Sequence, residues 1–467
     1  MKTARLQSSG TNWVEIAFSG ILIVAFIRVV IFVIENGYLP QPFFYNSSDT
    51  FADWFNPSSW AHTYGAFDVF GSLYPPLSFV FLNIFSLRSC YAHGSIAAND
   101  AGDARSCDWV GIYAIILFYI LNVFLVFICL YKTDRRTVLF RTIGIALGFP
   151  LLNAVERGNL TLVTFTCVIL AFGRIVKSSM MRSAFAALAV NFKIYLILAI
   201  LSLTIKRKWR WVEITLIFSV FVYAITFAFF GSGSPVQLLD NIFNYSGGVP
   251  SSPLDFWMAG SYNMMLSYLR HGDPLVVFAL GSRLRDALLI VLPLAMTAGK
   301  VSIVVAIFAA ALRPEVIPSF RLVNLGILIA EISSEAGGYT MALHTLFVFM
   351  EKWRGIGRKT AIVLCYIVAM PLEIPIQWVP PGVNYSFISD HNVIISYYVG
   401  LGFFLRPMTT ILIGIALSMV TIREVWSDIR LQGWSERWRF RRDAPLLPWV
   451  RRPTPVALAG GRSEADR

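Results

Sequence analysis

The sequence carries little charge for its length. Asp, Glu, Lys and Arg make up 14% of the 467 residues, whereas soluble domains carry about 25%. Cysteine is also scarce. The chain has five cysteines, which are too few for a disulfide scaffold. These shortages exclude a disordered chain, an ordinary cytosolic protein and a small disulfide-rich secreted protein.

Several motifs of soluble enzymes are missing as well. The chain has no Walker A loop, no HExxH pair, no CxxC pair and no GxSxG turn. The net charge of +12 comes without an RNA- or DNA-binding motif, so no nucleic-acid partner is predicted. Membrane proteins collect Lys and Arg on their cytoplasmic loops, and that rule accounts for the positive charge.

What the sequence does contain is long apolar runs. Hydrophobic residues reach 56% and the mean hydropathy is +0.64. A span needs roughly 20 apolar residues, so we predict an all-α polytopic membrane protein with roughly 10–12 membrane helices, short re-entrant ones included. The predicted longer segments are 13–35, 109–131, 139–155, 160–172, 211–230, 286–312, 322–335, 339–351, 361–378 and 396–422.

The distribution of basic residues predicts the orientation. Lys2 and Arg5 precede the first run, no cleavable signal peptide is evident, and the segment 423–467 has ten Arg and six acids. Both termini are therefore expected in the cytoplasm, with the lipid bilayer around the apolar segments. We divide the chain into a membrane domain, 1–422, whose external loop region is 37–108, and a basic cytoplasmic tail, 423–467.

Two apolar runs do not fit simple spans. Tyr74–Leu87 is too short, so it is expected to dip into the membrane from outside. The run 183–205 has basic residues at both ends, which predicts a re-entrant hairpin with Asn191 and Lys193 near its apex. In this topology Cys90 and Cys107 share the external compartment, where they either pair or stay free thiols.

Ionisable residues at membrane depth tend to mark function, and here they concentrate toward the external side. Asp49 and Asp53 are four residues apart, so on a helix they would share a face. Two carboxylates there suit a general base or a metal site. A helix cap plus a solvated acid is the alternative, since Asp49 follows Asn46-Ser47-Ser48.

Basic and polar residues offer further candidates. Lys193 at a hairpin apex would bind a phosphate or snorkel to lipid headgroups, and the same two options apply to Arg406. Glu156 and Arg157 adjoin a Gly-Asn turn. Glu335 lies in a Gly-rich break, and irregular backbone at membrane depth is tolerated where it lines a cavity or is buried in protein.

The order of these motifs is informative. An acid-bearing external loop precedes Tyr74-Pro75-Pro76-Leu77, and a Gly158-Asn159-Leu160 turn precedes a hairpin with Asn191-Phe192-Lys193. This order resembles the polyprenol-phosphate-dependent glycosyltransferases of the GT-C superfamily, family GT87 in particular. The resemblance covers roughly residues 40 to 215, with Asn263 as a candidate continuation. The turn lacks the Gly-Gln-x-Asn of that family, and the hairpin lacks its proline.

The resemblance implies an inverting glycosyl transfer at the external face of a bacterial inner (plasma) membrane. The donor would be a polyprenyl-phosphate-linked sugar such as mannose, the acceptor a glycan or glycolipid, and no cofactor or metal is expected. Asp49 would be the base, with Asp53 a close second. The implied phosphate ligands are Lys193, Arg157 and Arg406, and the implied sugar- or acceptor-binding residues are Glu335, Glu156, Asn159, Tyr74 and Asn263.

Two other functions compete with this interpretation. A polysaccharide polymerase or ligase with a polyprenyl-diphosphate oligosaccharide donor would share the external site and the basic phosphate ligands. A transporter or flippase would instead show a repeat and polar residues near the membrane midplane. The two halves of this sequence do not match, which disfavours transport.

Overall fold

A computed structural model of the protein describes residues 12–63, 65–91, 102–246, 260–271, 281–334 and 337–434. Glu335 lies outside the described residues, as does the part of the predicted tail beyond residue 434. Helices dominate the described chain. In chain order they are α1 (Trp13–Asn36), α2 (Ala52–His62), α3 (Pro76–Ile84), α4 (Gly102–Cys107), α5 (Trp109–Thr133), α6 (Val138–Ala146), α7 (Phe149–Arg157), α8 (Thr161–Phe172), α9 (Ser179–Phe192), α10 (Ile197–Leu201), α11 (Trp209–Phe230), α12 (Gln237–Ser246), α13 (Asn263–His271), α14 (Ser282–Leu312), α15 (Ser319–Ser333), α16 (Met341–Phe349), α17 (Ile356–Val368) and α18 (Gly402–Gln432).

The described helices include six that are long and apolar enough to cross a membrane. Several of them carry large apolar side chains on their outer surface; Phe229 and Ile34, for example, are 77% and 78% exposed. Such surface is stable in lipid, so the prediction of an all-α integral membrane protein is confirmed. The six are α1, α5, α6 together with α7, α11, α14 and α18.

The predicted segment 139–155 is two helices, α6 and α7, that meet at Gly148. Phe149 N donates a hydrogen bond to Ala369 O at 2.8 Å across this junction. A Cβ on Gly148 would lie 2.4 Å from Gly144 O and 3.1 Å from Ala369 Cβ. Glycine therefore allows the close approach of residue 369, and Pro150 lies in the first turn of the second helix, where no hydrogen bond is lost.

The sequence predicts a re-entrant hairpin in 183–205 with its apex at Asn191 and Lys193, and the structure interrupts the helix at that point. Helix α9 ends at Phe192, Lys193 is extended (φ −140°, ψ 97°), and short helical turns continue to Lys206. Asn191 Nδ2 donates to Ser219 O at 3.1 Å, which holds this end of α9 against α11. Lys193 lies between the end of α9 and the short turns that follow, where the sequence predicts the apex.

A β-hairpin stands where the sequence predicts the external loop 379–395 and the adjoining ends of two helices. Strands β1 (Pro375–Ser386) and β2 (His391–Gly400) pair antiparallel. The predicted segments 361–378 and 396–422 are wrong in extent, because α17 ends at Val368 and α18 begins at Gly402. Alternate residues of β2 are buried, and this period of two is invisible to a hydropathy window.

Buried ion pairs tie the helices together at the opposite end from the β-hairpin. Arg141 Nη2 lies 2.8 Å from Glu15 Oε1, joining α6 to α1. Arg321 Nε lies 2.5 Å from Glu351 Oε1, and its Nη1 lies 2.7 Å from Glu424 Oε2. Helix α18 therefore continues past residue 422, and part of the predicted tail packs against the membrane domain.

Cys90 and Cys107 form a disulfide, with their Cα atoms 5.7 Å apart. The sequence alone left this pairing open. The bond joins the short turn that contains Cys90 to the end of α4, just before α5 begins at Trp109. Arg105, two residues from the bond, donates to Thr50 O at 2.6 Å. The disulfide therefore anchors an arginine that holds the acid-bearing loop.

Candidate active site

Asp49 and Asp53 lie on either side of a tight backbone turn. Asp49 ends a 3-10 turn, and the Asn46 side chain caps the start of this turn by accepting a hydrogen bond from Ser48 N at 3.1 Å. Phe51 then adopts a left-handed conformation, φ +63°, and α2 begins at the next residue. On a single helix, the spacing of four would place the two acids on one face. In the structure they lie on separate elements instead.

The Arg157 guanidinium brings the two acids together. Its Nη1 lies 2.9 Å from Asp49 Oδ2, and its Nη2 lies 2.8 Å from Asp53 Oδ1. The guanidinium carbon also lies 4.3 Å from the centroid of the Phe44 ring, a cation–π contact. The side chain of Arg157 is 7% exposed and that of Asp49 is 33% exposed. Arg157 is thus buried and orients the two carboxylates, while the side chain of Asp49 is partly accessible to a ligand.

The turn after Arg157 depends on glycine. Gly158 has φ +62°, and a Cβ there would lie 2.9 Å from Trp54 Cβ. Next to this contact, Phe51 N donates to Glu156 O at 2.7 Å. The end of α7 and the start of α2 therefore approach closely, and this approach places Arg157 beside the acids.

Asn159 extends the cluster from Asp53 to Tyr74. Its Nδ2 donates to Asp53 Oδ2 at 2.7 Å and to the Tyr74 hydroxyl at 3.2 Å. Its Oδ1 accepts from the backbone N and the hydroxyl of Thr161, at 2.9 and 2.8 Å. These bonds fix the orientation of the amide. Both oxygens of Asp53 are consequently engaged, one by Arg157 and one by Asn159.

Lys193 lies at the far end of the same cluster. Its Nζ is 4.9 Å from the centroid of the Tyr74 ring and 5.5 Å from that of Tyr339. Burial lowers the pKa of the Lys193 ammonium to about 8, and the nearby Asp53 carboxylate opposes this shift. Within the described ranges, Lys193 makes no salt bridge. A cation held by two aromatic rings without a bound carboxylate is suited to an anionic ligand.

The Tyr74 hydroxyl remains neutral at ordinary pH. Burial raises the pKa of this phenol well above its usual value, and the Asp53 carboxylate raises it further. Since Asn159 donates to the phenol oxygen, the phenol proton is available to a ligand hydroxyl or phosphate oxygen. Tyr74 therefore offers a hydrogen-bond donor between the acids and Lys193.

Three residues of the site were not predicted. Phe44 and Tyr339 contact the cations with their rings, and in a chain with 15% aromatic residues no sequence signal separates these two. Arg105 donates to Thr50 O at 2.6 Å and to Ser48 O. The one signal for Arg105 in the sequence was its position two residues before Cys107, as one of two arginines in the polar segment 88–108.

Other predicted residues lie around the cluster rather than within it. Glu156 is buried behind Arg157 and accepts from Asn153 Nδ2 at 2.9 Å. Arg406 pairs with Glu373 at 2.9 Å, where it holds the start of α18 beside β1. Asn263 contacts Ser261 Oγ at 3.4 Å, and no contact among the described residues joins it to the acids.

The cluster can perform acid–base and phosphate chemistry. It holds a partly exposed carboxylate at one end and a lysine at the other, with a tyrosine and an amide between them. Within the described part of the chain, no group of three or more His, Cys, Asp or Glu side chains could hold a metal ion.

Comparison with known proteins identifies the family. The sequence model of glycosyltransferase family 87 matches residues 72–333, more than half of the chain. The chain belongs to glycosyltransferase family 87. The protein is therefore a membrane glycosyltransferase, an enzyme that transfers glycosyl groups. No curated protein and no solved structure matches the chain.

The glycosyltransferase family match includes most of the cluster. Tyr74, Arg157, Asn159 and Lys193 lie within the matched residues, while the acid-bearing loop precedes them. The resemblance noted in the sequence is thus confirmed as family membership. The roles of the individual residues stay predictions.

Proposed function

We propose that this glycosyltransferase moves a sugar, mannose or a close relative, from a polyprenyl-phosphate donor to a glycan or glycolipid acceptor. Asp49 takes the proton from the acceptor hydroxyl while that oxygen attacks the anomeric carbon. The bond from this carbon to the phosphate oxygen breaks, and the polyprenyl phosphate leaves. One displacement of this kind inverts the anomeric configuration.

The observation that carries the proposal is the order of contacts in the cluster. Asp49 binds Arg157, Arg157 binds Asp53, Asp53 binds Asn159, Asn159 binds Tyr74, and the Tyr74 ring contacts Lys193. The candidate base and the free ammonium therefore lie at opposite ends of one cluster. An in-line displacement needs this separation, because the nucleophile and the leaving phosphate flank the anomeric carbon.

The contacts favour Asp49 over Asp53 as the base. Asp53 accepts hydrogen bonds on both oxygens, whereas among the described residues Asp49 accepts only on Oδ2. Oδ1 of Asp49 is thus open to an acceptor hydroxyl. Arg157 has carboxylates as its partners, so we assign it to orienting them and leave phosphate binding to Lys193 and Tyr74.

The surroundings suit a lipid-linked donor. The short helix α3 packs against α9 and α11, and α9 ends one residue before Lys193. An isoprenoid tail would lie along these apolar surfaces, with its phosphate at Lys193. We place this site at the external face, on the side of the acidic loop and the disulfide, as the positive-inside rule predicts.

A donor panel tests the proposal. The purified protein in nanodiscs would receive several polyprenyl-phosphate monosaccharides and candidate acceptors, with sugar transfer or hydrolysis followed by mass spectrometry. We expect turnover of one donor, inverted stereochemistry and loss of turnover in Asp49→Ala. Turnover of polyprenyl-diphosphate oligosaccharides alone would replace this proposal by the polymerase or ligase. Normal turnover by Asp49→Ala would remove the assignment of the base.

A further inference from the structure

A cavity of about 620 Å³ lies at the other end of the α8–α9 helix pair from the acid cluster. Phe172 at the end of α8 and Ser179 at the start of α9 both line it. The opposite ends of these helices adjoin Asn159 and Lys193. Helix α9 has 14 residues, so about 20 Å separates the cavity from the candidate active site.

Three basic side chains line this cavity. They are Arg182, Lys208 and Arg210, and the lining, which consists of described residues, contains no Asp or Glu. Arg174 lies close enough to Arg182 for the two cations to repel each other. Arg210 is exposed and makes no salt bridge with another described residue. Cations gathered around an empty volume favour an anion within it.

The backbone adds to the positive potential. The first turns of α9, α11 and α15 all contribute to the lining. The residues that precede α11 and α15, Lys208 and Pro318, make no side-chain cap hydrogen bond. At the start of α9, Ser178 Oγ accepts from Met181 N, and in the first turn of α15, Arg321 N donates to Pro318 O. The start of α11 has no side-chain cap, and helix N-termini attract phosphate groups.

The rest of the lining is apolar. Phe172, Trp211 and Phe320 are among the side chains that form it. Trp211 lies in the first turn of a candidate membrane span, where aromatic residues lie at the level of lipid headgroups. A cavity that is basic on one side and apolar on the other suits an amphiphile better than a free inorganic ion.

We propose that this cavity binds the phosphate headgroup of an anionic membrane lipid. The phosphate would lie between Arg182 and Arg210, and the acyl chains would extend along the aromatic side chains. The cavity is on the side that the sequence predicts to be cytoplasmic, where basic pockets between helices bind anionic headgroups. This inference is independent of the glycosyl transfer proposed above.

Native mass spectrometry of the full-length protein in a neutral detergent tests the proposal. Dioctanoyl phosphatidic acid, dioctanoyl phosphatidylcholine and glycerol 3-phosphate would each be titrated. We expect one phosphatidic acid to bind with a Kd at least tenfold below that of phosphatidylcholine. Arg210→Gln should raise the Kd for phosphatidic acid about tenfold, because one charge-assisted hydrogen bond is lost. The matched control is Arg136→Gln, an exposed arginine outside the cavity, which should leave it unchanged.

The outcomes separate the sources of the phosphate. Binding of glycerol 3-phosphate as tight as that of the lipid would assign the cavity to a soluble phosphate and overturn the lipid proposal. Equal Kd values for the two lipids, or equal effects of Arg210→Gln and Arg136→Gln, would overturn it as well. Arg210 is exposed, so folding of its variant is expected, and an unchanged thermal midpoint would verify that.

Discussion

Asp49 and Asp53 differ in how many of their oxygens are engaged, so neutralising them should have unequal effects. We expect Asp49→Asn to lower kcat by about 100- to 10,000-fold, the range for loss of a general base. Asp53→Asn keeps one acceptor oxygen and should lower kcat less. It should also weaken the ion pair with Arg157. Steady-state kinetics with the donor that the panel selects would measure both, and the reverse ranking would exchange the two roles.

Lys193 should act on the donor rather than on the acceptor. Lys193→Gln removes a hydrogen bond to a charged phosphate, an interaction of about 1.5–3 kcal/mol, so the KM for the donor should rise by about 10- to 100-fold. Lys193→Arg should recover much of this loss. Lys177→Gln, an exposed lysine between α8 and α9, is the control. An unchanged donor KM in Lys193→Gln would remove its phosphate role.

At the scale of residues, the sequence predicts which charged residues belong to the site better than it predicts which residues they contact. The acidic loop, Lys193 and the Arg157-Gly158-Asn159 turn were predicted because ionisable groups and glycine stand out in an apolar chain. That Arg157 joins Asp49 to Asp53 could not be predicted, because the left-handed turn at Phe51 decides it. Backbone turns between distant segments have no local periodicity.

Among the elements, the break at Lys193 was predicted because basic residues at both ends exclude a single span. The β-hairpin was not predicted, because most of it lies in the segment 379–395, which has no Lys or Arg and is predicted as a loop between two spans. The hairpin matters for the site: Ser47 Oγ donates to Tyr385 O at 2.9 Å, and Phe387 N donates to Ser47 O at 3.2 Å. It thus holds the turn that carries Asp49.

The buried pair of α1 and α6 predicts a large effect on stability. Glu15→Gln would leave Arg141 buried without a carboxylate, and breaking a buried pair in this way costs about 3–5 kcal/mol. We expect a clearly lower thermal midpoint in detergent. Glu35→Gln, an exposed acid near the end of the same helix, is the matched control. Equal midpoints for the two variants would show that the pair contributes nothing.

At the scale of the whole molecule, the two ends of the protein carry different groups. The acids, the disulfide and the β-hairpin lie at one end, while the basic cavity and the buried Arg321 network lie at the other. Hydropathy and basic residues together predicted this polarity. They could not predict how the helices pack, because packing depends on contacts such as Gly148 with residue 369.

The cysteines of the chain allow the predicted orientation to be measured without adding a reporter. Cys90 and Cys107 are joined, and Cys129, Cys167 and Cys365 are buried free thiols. A membrane-impermeant reductant followed by an impermeant maleimide should add two labels in spheroplasts and none in sealed inside-out vesicles, as intact-mass measurement would show. The variant Cys90→Ser/Cys107→Ser should take up no label in either preparation. Two labels in inside-out vesicles alone would place the disulfide, and the acids beside it, on the cytoplasmic side, where a polyprenyl-linked donor would have to be used before it is moved across the membrane.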